Sequence, residues 1–193
     1  MKLIKQLSLF ILMTLKLHLG CGKRDFGIDW DHIDISKEHR HIKSHDIINL
    51  PYNENSVDLI YASHVFEYFD RSEAVEVLEK WKKVLKPGGI LRLAVPDFEE
   101  MVKLYLQKDY PLSKFLGPLF GKWGVNETNI YHKTTYDFDS IKELLENLEF
   151  KNVRRWNWRQ VEHGKFDDHS QSYLPHMDKN NGTLISLNVE CEL

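Results

Sequence analysis

"LKLHLGCGKRDFGIDWDHIDIS", residues 15–36, decides the fold, because it can be read in two incompatible ways. In one, the apolar run before it belongs to a signal segment, and Gly20–Cys21 is the cleavage point of a lipid-anchored precursor. In the other, Leu15–Leu19 is the first strand of an α/β domain, and Gly20–Cys21–Gly22 is the turn leaving it at the ligand-binding edge. The uncharged run 6–15 (QLSLFILMTL) has about half the length of a membrane-spanning helix. Small residues of the A-x-A type are missing, and Lys16 and His18 fall where a cleavage region is neutral. The strand reading is preferred. Residues 1–14 are then an N-terminal extension, expected to be poorly ordered, with Met13 as an alternative start.

The rest of the chain, 15–193, fits one domain with an ample core. Apolar residues make up 42 % and charged residues 28 %, a globular composition. A net charge of −3 argues against a dedicated nucleic-acid binder. Two cysteines, Cys21 and Cys191, suggest no disulfide framework and fit a reducing, cytoplasmic setting without membrane insertion.

Short apolar segments alternate with helical patterns, as βαβ units do. Strands are expected at 15–19, 32–35, 45–48, 57–63, 90–95, 153–158 and 183–191. Helices are expected at 72–85, opened by Asp70 with Glu73, at 99–107, and after Ser140 and Glu143. Only eleven residues separate Gly22 from Asp34, so the first crossover is expected to be a loop or single turn rather than a helix. Segments 97–136 and 159–182 are insertions, and the second is long enough to be a working loop.

The chemistry-bearing residues sit at strand ends. Gly20 and Gly22 let a ligand approach the backbone. The dinucleotide fingerprint fails, because its third glycine would fall on Asp25. Asp34 can accept bonds from two ribose hydroxyls, and Asp46 is placed for an exocyclic adenine amine.

In their order, "LHLGCG", "HIDIS", "HDIINLPYNENSVDLIYASHVFEYFD" and "VLKPGGILRLAVPDF" make the chain resemble class I S-adenosylmethionine-dependent methyltransferases of the type-11-like group. The resemblance is close over 15–98 and looser over 137–193. It implies an α/β, three-layer Rossmann-like fold, with a mostly parallel seven-stranded sheet and an antiparallel last strand. It implies S-adenosyl-L-methionine as cofactor, with Gly20, Cys21 and Gly22 at its methionine end, Asp34 at the ribose, and Asp46 and Ile47 at the adenine. Ser63 and His64 would face cofactor and substrate. Three departures stand out: His18 replaces the usual acid of the first motif, the first crossover is compressed, and Tyr68 stands where relatives often carry histidine. The 167–190 segment resembles a small group of methyltransferases associated with surface polysaccharides, which suggests a small-molecule or glycan-type acceptor, methylated at oxygen.

A base for such an acceptor would come from His132, His163, Asp168, His169 or His176, with His169, Asp168 and His132 preferred. The histidines lack metal-ligand spacing, so no metal is expected. "VRRWNWRQ" (153–160) suits stacking on bases or sugars, but the usual base-amine methylation motif is absent, so no nucleic-acid partner is expected. The other reading left open by the lost acid and short crossover is a non-catalytic adenosyl-binding module.

Overall fold

The computed structural model describes residues 14–107 and 109–193. Nearly all of the expected N-terminal extension therefore lies outside the described residues. Seven strands form one sheet: β1 (Lys16–Leu19), β2 (Trp30–Ile33), β3 (Ile42–Ser44), β4 (Val57–Ser63), β5 (Leu85–Pro96), β8 (Lys151–Arg155) and β11 (Ser186–Glu192). Their order is β3-β2-β1-β4-β5-β11-β8, with β11 antiparallel to both neighbours. The remaining pairs are parallel. Lys16–Leu19 lies in the middle of this sheet, so cleavage at Cys21 would remove a central strand.

Strand alternation gives the two faces different chemistry. One face carries Leu17, Leu19, Ile33, Ile60, Ala62, Leu91, Leu93, Val95, Leu187 and Val189, all buried. Two helices cover it, α1 (Arg71–Val84) and α4 (Phe138–Asn147), through Val77, Leu78, Trp81, Ile141 and Leu145. The capping box of α1 is the expected Asp70–Glu73 pair. That of α4 is Asp137 with Ser140, one turn earlier than expected.

The opposite face carries His18, His32, Tyr61, Arg92, Asn188 and Glu190. An apolar helix laid there would leave these groups unpaired, at several kcal/mol in total. Residues 156–172 cover it instead, with three short 3₁₀ turns at 158–160, 162–165 and 169–171. Tyr61 Oη donates to Asp168 Oδ2 (2.6 Å), and Asn188 Nδ2 donates to the Ser170 carbonyl (2.9 Å). The backbone N–H of Trp156 donates to Asn188 O, and its indole N–H to Leu93 O. Phe26, Trp30 and Phe166 fill the remaining space, with Phe26 stacked on His18 at 4.0 Å. The third layer is therefore a loop.

The compressed first crossover is a turn, as expected, and the 34–41 connection between β2 and β3 also contains no helix. The strands expected at 32–35 and 45–48 each lie earlier, at 30–33 and 42–44. Lys86–Pro87–Gly88–Gly89, between the expected helix 72–85 and the expected strand 90–95, already belongs to β5. Segment 97–136 holds α2 (Phe98–Leu106), the short α3 (Leu116–Phe120) and a hairpin of β6 (Lys122–Val125) with β7 (Thr128–Tyr131). Strands β9 (Tyr173–Leu174) and β10 (Thr183–Leu184) pair before β11. Among the described residues no helix is long and apolar enough to cross a membrane.

Tyr61→Phe should lower the unfolding free energy by about 1–3 kcal/mol, because Asp168 then keeps a buried oxygen without its donor. Urea denaturation measures this, and an unchanged midpoint would refute the role assigned to the bond.

Candidate active site

The carboxyl ends of β1 and β4 meet where the strand order reverses, and Gly20, Cys21, Gly22, Ser63 and His64 follow those two strands. Gly20 has a φ of +64°, and a Cβ on it would overlap the Val65 side chain. Gly22, at φ +55°, has open space where its Cβ would be. The first glycine thus lets β1 pass close to the β4 exit, and the second leaves room for a ligand. Cys21 is buried, and burial together with Asp34 raises its thiol to about 12, so it is an inert packing residue.

Asp34 follows β2 and is nearly buried. Its Oδ2 accepts from Gly22 N and its Oδ1 from Ser36 N, both at 2.7 Å. Each oxygen keeps an acceptor lone pair, so a ribose diol could still be bound. Asp46 lies beyond β3, in a turn it holds by accepting from Ile48 N, Asn49 N and Asn49 Nδ2. The Ile47 carbonyl accepts from the Trp81 indole at 2.8 Å. The two residues expected at the adenine are thus a turn cap and a half-buried packing residue. Ser63 is buried with an unpaired hydroxyl. A glycine cradle, a carboxylate with spare acceptor capacity and an orphaned hydroxyl are a donor and acceptor set that fits an adenosyl ligand.

Beside them lies a cluster that sequence reasoning only partly found. His64, at φ +52°, donates its Nε2–H to Ser186 Oγ at 3.2 Å. This direction follows from the chain beyond it: Asn188 Nδ2 donates to a carbonyl, so its Oδ1 must accept the Ser186 hydroxyl. Neutral His64 therefore presents its Nδ1 lone pair to Glu67 Oε1, 3.3 Å away. His132 donates Nδ1–H to the Pro118 carbonyl, so its Nε2 lone pair also faces Glu67 Oε1, at 3.7 Å. Glu67 is fully buried, and neither of its oxygens makes a hydrogen bond. Burial raises its carboxyl to about 8, so at neutral pH it is protonated and sets no charge against the two facing lone pairs. The backbone N–H groups of Lys133 and Thr134 donate to Glu67 O and tie the end of the 97–136 segment to this point. Glu67 was missed because a lone Glu inside "HVFEYFD" reads as a helix-surface residue.

The predicted bases separate. His169 is exposed, 5.3 Å from His64 ring to ring. Asp168 is not available: its buried carboxylate accepts from Tyr61 Oη, Ser170 N and Ser170 Oγ, so the catalytic role expected of it becomes a positioning one. His132 has both ring nitrogens occupied or aimed at Glu67. His163 is buried on the far face beside Arg92, and burial followed by that cation lowers it to about 3. His18, at the position of the usual first-motif acid, points into the same aromatic layer, and burial keeps it neutral. Arg24, also unforeseen, is half-buried in the turn after Gly22, its Nε donating to Asp167 O. Among the described residues no group of three or more His, Cys, Asp or Glu is arranged to hold a metal ion.

Residues 21–93 match the family model described as "Methyltransferase domain". No curated protein sequence matches the chain. Solved structures resemble it throughout. A SAM-dependent methyltransferase from Archaeoglobus fulgidus has 15 % identity and a TM-score of 0.57, over 93 % of this chain and 86 % of that one. Another from Methanosarcina mazei has 15 % identity and a TM-score of 0.57, over 100 % and 98 %. The Burkholderia thailandensis 1,6-didemethyltoxoflavin-N1-methyltransferase, solved with its substrate and S-adenosylhomocysteine, has 12 % identity and a TM-score of 0.52, over 92 % and 70 %. The fold is that of class I methyltransferases. The methyltransferase-domain match covers the part of the chain that carries Cys21 and Gly22 of the glycine turn and Asp34.

Two outcomes follow. Gly20→Ala should abolish S-adenosylhomocysteine binding, since the new Cβ forces β1 away from Val65; retained affinity in calorimetry would refute the close-approach argument. For Glu67, the unfolded carboxyl titrates near about 4.3 and the folded one near 8. Between these values only the unfolded chain gives up the proton, so this group's contribution to stability is lost as pH rises through that window. The melting temperature of wild type minus that of Glu67→Gln should fall from about pH 5 to about pH 8. A flat difference would show that Glu67 titrates normally.

Proposed function

We propose that the protein transfers the methyl group of S-adenosylmethionine to oxygen on a small-molecule or glycan-type acceptor in the cytoplasm. Segments 97–136 and 159–182 form the acceptor side, the second through His169 at its rim. The observation that carries the cofactor half of this reading is Asp34, fixed by Gly22 N and Ser36 N with a free lone pair on each oxygen. Asp34 takes the ribose hydroxyls, the Gly20–Gly22 turn takes the amino-acid end, and the Arg24 guanidinium is the cation for its carboxylate. The cofactor supplies an activated sulfonium methyl group, so the chain's own residues need to align the acceptor and remove one proton.

His169 is the residue for that proton. It is exposed at the rim and next to His64, and its ring makes no hydrogen bond among the described residues. His64 cannot do this directly, because its two nitrogens are engaged by Ser186 and Glu67. It serves as a rigid, neutral wall. A neutral wall also avoids placing a second cation against the sulfonium.

Calorimetry with S-adenosylhomocysteine tests the cofactor site. Asp34→Ala should weaken binding by about one to two orders of magnitude, or about 1.4–3 kcal/mol, while circular dichroism stays native. Unchanged affinity would sink the ribose assignment. With hydroxyl acceptors supplied, His169→Ala should lower turnover by about 10²–10⁴-fold and leave S-adenosylhomocysteine affinity intact. Turnover insensitive to His169, or confined to amine acceptors, would overturn the oxygen reading.

A further inference from the structure

Residues 121–131, which hold β6 and β7, belong to none of the hydrophobic core clusters among the described residues. The hydrogen bonds tying this hairpin to the rest of the described chain lie at its two ends. The root is held firmly. His132 N donates to Phe120 O, His132 Nδ1–H to Pro118 O, and the N–H groups of Lys133 and Thr134 to Glu67 O. The tip is held by one side chain. Asn126 Nδ2 donates to Ile35 O at 2.8 Å, and Asn126 Oδ1 accepts from Lys37 N at 3.4 Å.

These ends lie on opposite sides of the glycine turn. Glu67 follows β4, and Ile35 and Lys37 follow β2; the order β2-β1-β4 puts β1 and its Gly20–Gly22 turn between them. The strands flanking β1 are about 10 Å apart, whereas residues 126–132 span about 20 Å when extended. The hairpin is long enough to arch over the turn. Register puts Val125 and Ile130, buried and half-buried, on one side, and the exposed Lys122, Gly124, Asn129 and Tyr131 on the other. The first side therefore faces the protein. The tip has the chemistry of a releasable latch. Asn126 and Glu127 form the two-residue turn with φ of +46° and +70°, a conformation that asparagine tolerates well. The Asn126 carboxamide supplies one donor and one acceptor, as a peptide unit does, and so docks on the Ile35 carbonyl and the Lys37 N–H. Ser36 N, between them, donates to Asp34 Oδ1, so the latch closes on the segment that fixes this carboxylate. Two exposed bonds of this kind favour the closed tip by about five- to thirtyfold.

We propose that the β6–β7 hairpin is a strap across the cofactor cleft, rooted at Glu67 and latched by Asn126 on residues 35–37, and that release of this latch gates entry of S-adenosylmethionine and exit of S-adenosylhomocysteine. The inference rests on Asp34 as the ribose site and is independent of the acceptor. Closed, the strap shields the bound cofactor from water on the side away from the sheet; open, it frees the path to Asp34. Both latch bonds go to protein backbone and neither to the cofactor, so the latch is equally strong with the site empty or filled. Its opening speeds entry and exit alike.

The test is surface plasmon resonance of S-adenosylhomocysteine on the immobilised whole chain. Asn126→Gly keeps the positive-φ turn and removes both latch bonds. It should raise the association and dissociation rates together, each by about five- to thirtyfold, with Kd changed by less than about threefold. Asn126→Asp keeps the acceptor for Lys37 N but sets a carboxylate oxygen against Ile35 O, and should also accelerate both rates. Glu127→Gly relaxes the same turn without touching the latch and should leave both rates at wild-type values. Unchanged rates in Asn126→Gly would overturn the proposal. So would faster dissociation with a matching rise in Kd, which would make Asn126 only a support for the Asp34 segment. Equal acceleration by Glu127→Gly would assign the effect to the turn and overturn it too. A wild type that binds no S-adenosylhomocysteine strikes the cofactor reading and the strap together, whereas binding with rates indifferent to Asn126 strikes the strap alone.

Discussion

The hydrogen bond from Tyr61 to Asp168 joins the central strand of the sheet to the layer that covers it. Both partners are buried, and both are forced to be polar by what surrounds them. The sheet face they share carries two histidines, an arginine, an asparagine and a glutamate, which an amphipathic helix could not satisfy. A loop can, because its carbonyls, N–H groups and short side chains are free to turn toward each polar atom. Connections too short for helices at 20–29 and 34–41 leave that face open, and residues 156–172 close it. Arg92 shows how tight the arrangement is: Glu190 and His163 both contact its guanidinium beneath the loop.

The same loop then reaches the active edge. Asp168 and Ser170 are spent on anchoring, and His169 between them is left exposed beside His64. Anchoring on either side of a free imidazole fixes its position without occupying its nitrogens. The 97–136 segment is tied in from the other side through Lys133, Thr134 and His132 at Glu67. Glu67 is thus where β4's exit, the 3₁₀ turn after it and the 97–136 segment meet. A buried neutral carboxyl there avoids the repulsion that an ionised one would meet from two imidazole lone pairs.

Much of the fold was legible in local sequence. Period-2 and period-3.6 patterns place β4 and α1 within a residue and α4 within one turn, and Asp70 with Glu73 marks the first turn of α1. The eleven residues between Gly22 and Asp34 were enough to exclude a helix there. The weak points were short: β2 and β3 are three or four residues long, too few for periodicity to set their register, and both lie earlier in the chain than expected. Of the candidate site, Gly20, Gly22, Asp34, Ser63 and His64 come together as their strand-end positions implied. His163 and His18 went to the far face because alternation along a strand, and a loop crossing a sheet, direct side chains in ways that spacing between histidines does not report.

The sequence by itself determined the order of strands and helices, the glycine turn and the carboxylate after the second strand, since these follow from neighbours a few residues apart. Only the tertiary structure decided which polar residues are free to act. Asp168 and His169 are adjacent and chemically alike in a sequence reading, yet one is buried under three donors and the other is open at the rim. Two of those donors come from Ser170, two residues on, but the third is Tyr61, 107 positions away in the sequence, and no local pattern carries that contact or the burial.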